Sequence, residues 1–312
     1  MPTASINLVP QNGNASVIAI NCGSSSPKLG GTINVSAFTN LTSFECNYND
    51  ITHLSGTENL TQLKILRAYY NKIINFPNLS TNPNIEVVDL VSNQFSGSFP
   101  DITSNSKLTY LNVAFNNFTG VLPSFAANPD LTLLYCYQNR LSGSLPDFSV
   151  NSKLQACLCQ VQLGATKFSG PIPPLPTSIR FFNCRANQLS GTIPTLTLYP
   201  NLVEFNCGEN LLTGTIPSLS ACTNLETFSC NTNQLTEFAG GNVSNKLGTF
   251  NAQINQLTQS AINAILAAFV AANKTTGTRV LNLGGTGNAA PSGQGLTDKA
   301  TLITRGWTVT TN

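Results

Sequence analysis

The chain has 312 residues, 41% of them hydrophobic and only 9% charged, and carries a formal net charge of +2. So weak a field offers nucleic acid or an anionic membrane little long-range attraction, which excludes polyelectrolyte binding as a primary function. Asparagine supplies 39 of the 312 residues, so the surface is built from neutral hydrogen-bonding groups rather than charges.

The amino-terminal stretch "MPTASINLVPQNGN" has no basic start followed by an apolar run, and so does not read as a secretory signal. Within it, "INLVP" reads as a short strand that either caps the first coil or attaches to a partner. Residues 1–40 form an amino-terminal cap with a partial repeat, "VIAINC" from Val17. Ten repeats then fill residues 41–257, starting at Leu41, Leu63, Ile85, Leu108, Leu131, Leu154, Ile179, Leu202, Leu225 and Leu247. Each opens as L-x-x-L-x-L-x-x-N-x-L, as in "LTYLNVAFNNF" from Leu108 to Phe118. A period of 22–25 residues means that one repeat is one coil, whose aliphatic side chains are buried only when neighbouring coils stack.

Within "LxxLxL" successive side chains leave on opposite faces, so the Leu slots point inward and the residues between them outward. The recurrent asparagines (Asn49, Asn71, Asn93, Asn116, Asn139, Asn187, Asn210, Asn233 and Asn255) stand where the chain leaves the strand. Their amides are expected to satisfy backbone groups that would otherwise be buried and unpaired. Gly and Pro in segments such as "SGTIP" and "TGTIP" then bend the coil back. Seven of nine cysteines occupy the third apolar slot: Cys22, Cys46, Cys136, Cys159, Cys184, Cys207 and Cys230. One thiol per coil fits a small buried hydrophobe rather than a clustered metal site or disulfide framework. The sixth repeat, "LQACLCQVQLGATKFSG", carries about four extra residues and lacks the ladder asparagine, so Gln160 to Lys167 is expected to bulge from the rim.

From Thr258 the period changes, and residues 258–312 read as a carboxyl-terminal cap. Ile262, Ile265, Leu266, Phe269 and Val270 follow helical spacing. "VLNLGG" reads as a strand, "GGTGNAAPSGQG" as a loop, Leu296 to Thr304 as a short helix, and the segment at Trp307 and Val309 as an edge strand. Trp307, the one tryptophan, is expected to lid the core. The longest apolar run, "AINAILAAFVAA", is too short to span a bilayer.

The repeat spacing resembles the leucine-rich repeat family, and the "SGTIP"-type continuations resemble its plant-type variant, in which a second short strand follows the first. The resemblance runs from Val17 to Leu283. It implies an α/β solenoid, mainly β, wound as a curved right-handed coil with a parallel sheet on the concave face. Secreted plant members carry paired cysteines in their end caps. This sequence lacks them, which speaks against folding in an oxidising compartment. The carboxyl-terminal segment resembles the ends of repeat proteins from phage virions and aquatic-bacterial surfaces.

No cofactor motif, metal-ligand cluster or catalytic constellation is legible, and the single histidine, His53, has no nucleophile at a readable spacing. The outward strand positions are more informative. Tyr48, Tyr69, Tyr70, Tyr110, Tyr135 and Tyr137, with Phe115 and Phe181, fall at strand or strand-exit positions, near Arg67, Glu86, Asp89, Arg180 and Arg185. Tyrosine and arginine are hot-spot residues of interfaces. The candidate ligand-binding set is therefore Arg67, Tyr69, Tyr70, Asp89, Tyr110, Phe115, Tyr135, Tyr137, Phe181 and Arg185. The expectation is a non-enzymatic binding or structural protein, most readily a phage tail or baseplate component. Its partners would be other virion proteins, or a glycan or protein of the host surface, without nucleic acid or membrane insertion and with multimeric assembly in the particle. A plant-type receptor or inhibitor module, and a purely structural virion decoration, are the alternatives; a bacterial surface or extracellular location is the alternative to the virion.

Overall fold

Every repeat makes a strand at the same place in its pattern, because the alternation of apolar and polar residues there matches the two-residue period of extended chain. The computed structural model describes residues 17–312 and the backbone of a short strand, Ile6–Asn7. That strand falls within "INLVP" and pairs in parallel with Gly30–Asn34; the flanking residues of the motif lie outside the described residues. Contacts group the chain into two units. The first takes in the chain up to Leu154 with Gln162–Lys167, and the second holds Gln155–Val161 and Phe168–Asn312.

In the first unit the strands Ala19–Asn21, Ser43–Glu45, Ile65–Arg67, Val87–Asp89, Tyr110–Asn112 and Leu133–Tyr135 follow the repeat order. Parallel pairing sets like slot against like slot: Ser43 meets Ile65, Ile65 meets Val87, and Val87 meets Tyr110. In the second unit the same holds from Ala156–Leu158 through Phe181–Asn183, Glu204–Asn206, Thr227–Ser229, Thr249–Asn251 and Val280–Asn282 to Thr308–Thr310. The middle residue of each inner strand faces the core: Phe44, Leu66, Val88, Leu111 and Leu134 in one unit, Phe182, Phe205, Phe228 and Phe250 in the other, all fully buried. This is the expected solenoid.

The asparagine ladder operates as the spacing predicts. The Asn139 amide donates to the carbonyl oxygens of Val113 (2.9 Å) and Cys136 (3.2 Å), while its oxygen accepts the Phe118 N–H (3.0 Å). Asn71, Asn93, Asn116, Asn210, Asn233 and Asn255 repeat this pattern. The sixth repeat differs from expectation. Gln162 takes the ladder slot, buried, accepting the Leu141 N–H at 3.0 Å and donating to the Cys136 carbonyl at 3.2 Å. A longer amide still reaches both partners, so the exposed part of the insertion starts at Leu163 rather than Gln160. Asn187, in the repeat that follows, keeps its donor bonds but buries an oxygen that has no partner.

A second ladder, absent from the sequence reading, lies three residues before each repeat start. Asn82, Asn105, Asn128 and Asn151 are each fully buried and donate to two carbonyls of the preceding coil; Asn128 bonds Ile102 at 2.9 Å and Asn105 at 3.0 Å. In the second unit this slot holds Pro176, Tyr199, Cys222 and Ser244. The backbone turn is unchanged, as the Leu131, Leu202 and Leu225 N–H groups all bond the carbonyl three residues back.

The cap begins with helix α1, Gln259–Ala272, whose first turn is capped by the Thr258 hydroxyl accepting from the Ala261 N–H. Ile262, Ile265, Leu266 and Phe269 are buried and Val270 half-buried. Helix α2 spans Gln294–Thr304, two residues longer than expected, and leaves Leu296 exposed. Asn288, in the Gly/Pro-rich loop, extends the ladder into the cap by accepting the Leu257 N–H and donating to the Ala252 carbonyl. The phenylalanine column of the second unit runs through Phe250 and Phe269 (5.4 Å) to Trp307 (5.2 Å), which closes it as expected.

Candidate functional site

The residue before each ladder amide adopts a left-handed backbone, with φ between 52° and 59° from Tyr48 to Ile254. A non-glycine residue there costs about 1–2 kcal/mol, which the ladder bonds of the same turn offset. The turn breaks the strand alternation, so two successive side chains leave on the outer side. Tyr69 and Tyr70 are such a pair, beside the fully buried Ala68.

In the first unit this geometry gathers seven rings. Tyr48 and Tyr70 stack at 4.9 Å with planes 9° apart, and Tyr69 meets Tyr48 edge-on at 5.3 Å. Tyr110 meets Tyr135 edge-on at 5.8 Å, and Phe115 meets Tyr137 at 5.2 Å. Tyr48, Tyr70 and Phe115 stay 45–50% exposed, so part of each ring is open to a ligand. The other four are half-buried.

Asp89 stands on the central strand of this group, in register with Arg67 on one side and Asn112 on the other. The Tyr110 hydroxyl donates to its Oδ2 at 3.4 Å and the Val91 N–H to its Oδ1 at 3.5 Å. Arg67 is turned instead towards Glu45, 3.3 Å away. Burial pushes the Asp89 carboxyl above the usual range despite these donors and the charge of Arg67. Burial, reinforced by the Asp89 charge, pushes the Tyr110 phenol up to about 12. Tyr69, Tyr135 and Tyr137 are also raised, first by burial, and Tyr69 and Tyr137 also feel Asp89. At neutral pH the face therefore offers neutral phenols, partly open rings and one carboxylate.

Phe181 and Arg185 belong to the second unit, where each is engaged locally. Arg180 lies over the Phe181 ring at 5.6 Å, and Arg185 makes a two-donor contact with Glu209 Oε1. Glu86 sits at strand entry beside Lys64, 3.4 Å away, rather than on the aromatic face. His53 lies in the strand Asp50–Ser55, its Nδ1 3.0 Å from the Thr52 hydroxyl. The second unit has two open polar clefts at strand entry, of about 330 Å³ by Glu226, Lys246 and Lys274 and about 290 Å³ by Arg180, Asn224 and Glu226. Their lysines are already bonded, Lys246 to Asn224 and Lys274 to two backbone carbonyls.

The thiols follow the packing prediction except for Cys22, which is half-buried. In the second unit Cys159, Cys184, Cys207 and Cys230 are fully buried, and burial raises Cys184, Cys207 and Cys230 above the ordinary thiol range. Among the described residues no group of three or more His, Cys, Asp or Glu is placed to hold a metal ion, and no helix is long and apolar enough to cross a membrane.

The family profile described as Leucine Rich Repeat matches residues 107–128. Together with one parallel strand and one buried amide per repeat, that match decides the architecture. The fold is a leucine-rich repeat solenoid. No curated protein matches the chain in sequence. Among solved structures the solenoid is similar to a TDR receptor, at 23% identity over 86% of this chain and 47% of that one, with a TM-score of 0.69. It is also similar to the functional domain of InlJ from Listeria monocytogenes, at 26% identity over 80% and 50%, with a TM-score of 0.63; that domain includes a cysteine ladder. The ectodomain of the Arabidopsis receptor kinase HAESA, in complex with a peptide hormone, matches at 21% identity over 85% and 52%, with a TM-score of 0.63. The chain thus spans about half the length of these structures.

Proposed function

We propose that the first unit binds a protein or peptide ligand on the outer face of its long sheet. The observation that carries this reading is the clustering of seven aromatic rings, in three contact groups, on the coils either side of Asp89, three of them about half exposed. Exposed rings clustered on one face work against solubility unless a partner covers them. Tyrosine supplies large contact area at small entropic cost, which suits it to that partner. A spacer or virion decoration needs no such cluster, since its contacts fall on edges and ends. The HAESA ectodomain, of the same fold, was solved with a peptide hormone, and a peptide-binding strand face is consistent with that precedent. The phage-virion assignment draws on the carboxyl-terminal resemblance and supplies an identity for the ligand, a virion or host-surface protein.

The test is selection of a displayed random peptide library on the purified chain, with Tyr70→Ala/Tyr137→Ala as counter-screen. Peptides that bind the parent and lose at least about tenfold in affinity on the double variant are expected, in line with the truncation of two interface anchors. Peptides that bind both proteins equally well would place the ligand elsewhere.

A further inference from the structure

We propose that the ligand of this face presents a cationic side chain, a lysine or arginine of the protein partner, which enters between the tyrosine rings to meet Asp89. The inference rests on the protein-binding reading above and adds the chemistry of the contact.

Three charged residues hold the same outward strand position in consecutive coils: Glu45, Arg67 and Asp89. Arg67 and Glu45 neutralise each other at 3.3 Å. That leaves Asp89 with no cation within ion-pair distance among the described residues, the Arg67 charge acting on it only from farther away. Its donors are neutral: the Tyr110 hydroxyl at 3.4 Å, the Val91 N–H at 3.5 Å and the Asn112 side-chain amide.

The occupant follows from what covering this carboxylate would do. An uncharged ligand offers at most hydrogen-bond donors and leaves the charge unbalanced on a drier face, which is costly. An anionic ligand would meet like charge. A cation compensates Asp89, and a tyrosine ring beside it that presents its face would add the attraction of its quadrupole. Water excluded by the same rings strengthens both terms, because the local dielectric falls. A divalent metal ion asks for several oxygen ligands, and Asp89 is the single carboxylate here not already paired. A lysine ammonium or an arginine guanidinium on a peptide meets the geometry with one point of charge and an apolar stem for the rings.

The experiment uses the full chain and the peptides enriched in the selection above. Lysine or arginine at a shared position is expected, with binding weakened by about 0.5 M salt. Asp89→Asn should cost at least about tenfold in affinity, as loss of one partner of a desolvated charge pair does. Exchanging the basic residue of the synthetic peptide for norleucine should cost as much on the parent and almost nothing further on Asp89→Asn. Arg67→Gln removes the one positive charge acting on Asp89 from the neighbouring strand and should tighten binding; it carries the test if Asp89→Asn fails to fold, as its melting curve will show. Tyr70- and Tyr137-dependent peptides without a basic residue, or with equal affinity for Asp89→Asn, overturn the cationic contact and leave the binding face standing. So does an Arg67→Gln variant that fails to bind more tightly. Failure to recover any peptide that depends on these tyrosines overturns both readings.

Discussion

Replacing Asn139 by alanine tests the principle on which the coils are joined. Its side chain is fully buried and makes one accepting and three donating contacts, to the Phe118 N–H and to the carbonyls of Val113, Cys136 and Tyr137. The Cys136 carbonyl retains a donor from Gln162 and the Val113 carbonyl one from Asn116, so truncation falls chiefly on the Phe118 N–H. A buried backbone N–H left unpaired costs about 1–3 kcal/mol. The exposed neighbour Asn117, truncated in the same way, should change stability by no more than about 0.5 kcal/mol. Urea denaturation gives the global effect, and amide hydrogen exchange at Phe118 gives the local one, which should quicken at least about thirtyfold for a 2 kcal/mol loss. An Asn139→Ala chain as stable as Asn117→Ala, with Phe118 still protected, would refute the view that ladder amides hold the coils together.

Phe228 lies between Phe205 at 5.7 Å and Phe250 at 5.4 Å; Phe228→Ala should cost about 3–5 kcal/mol in thermal denaturation, and Phe228→Leu much less. Because the Tyr110 phenol is raised from 10.0 to about 12 in the fold, its contribution to stability is complete below pH 10 and is lost as pH climbs towards 12. Denaturation midpoints across that window should fall less steeply in Tyr110→Phe. Alkylation with iodoacetamide at pH 8 should label Cys22 first, since it is half-buried, and leave Cys46, Cys184, Cys207 and Cys230 unmodified until denaturant is added. Peptide mapping by mass spectrometry reads this directly, and early labelling of Cys207 would contradict its place in the core.

What was readable in the sequence depended on repetition. The strands, the ladder amides and the inward thiols recur at one spacing, so each copy corroborates the others, and Leu111, Cys184 and Phe205 are fully buried as that spacing requires. The second ladder escapes a search for one repeated letter although Asn82, Asn105, Asn128 and Asn151 share a 23-residue step. Its slot changes residue type in the second half of the chain, so no single letter marks it throughout. Gln162 escapes for a related reason: the pattern asks for asparagine, while the backbone asks only for an amide that can reach. The tyrosines were legible as outward residues. Their grouping on the coils either side of Asp89 was not, because it arises from ring contacts between coils and from Arg67 turning to Glu45, and neither follows from spacing.

Like-to-like register has a consequence for the length of this molecule. Excision of Leu202 to Asn224, one 23-residue period, would bring Asn201 up to Leu225, the start of the next repeat. Phe182 would then face Phe228, and Cys184 would face Cys230, in the same slots that Phe205 and Cys207 now fill. The array can therefore be shortened by whole periods without designing a new junction. Within such an array the number of coils is an adjustable dimension.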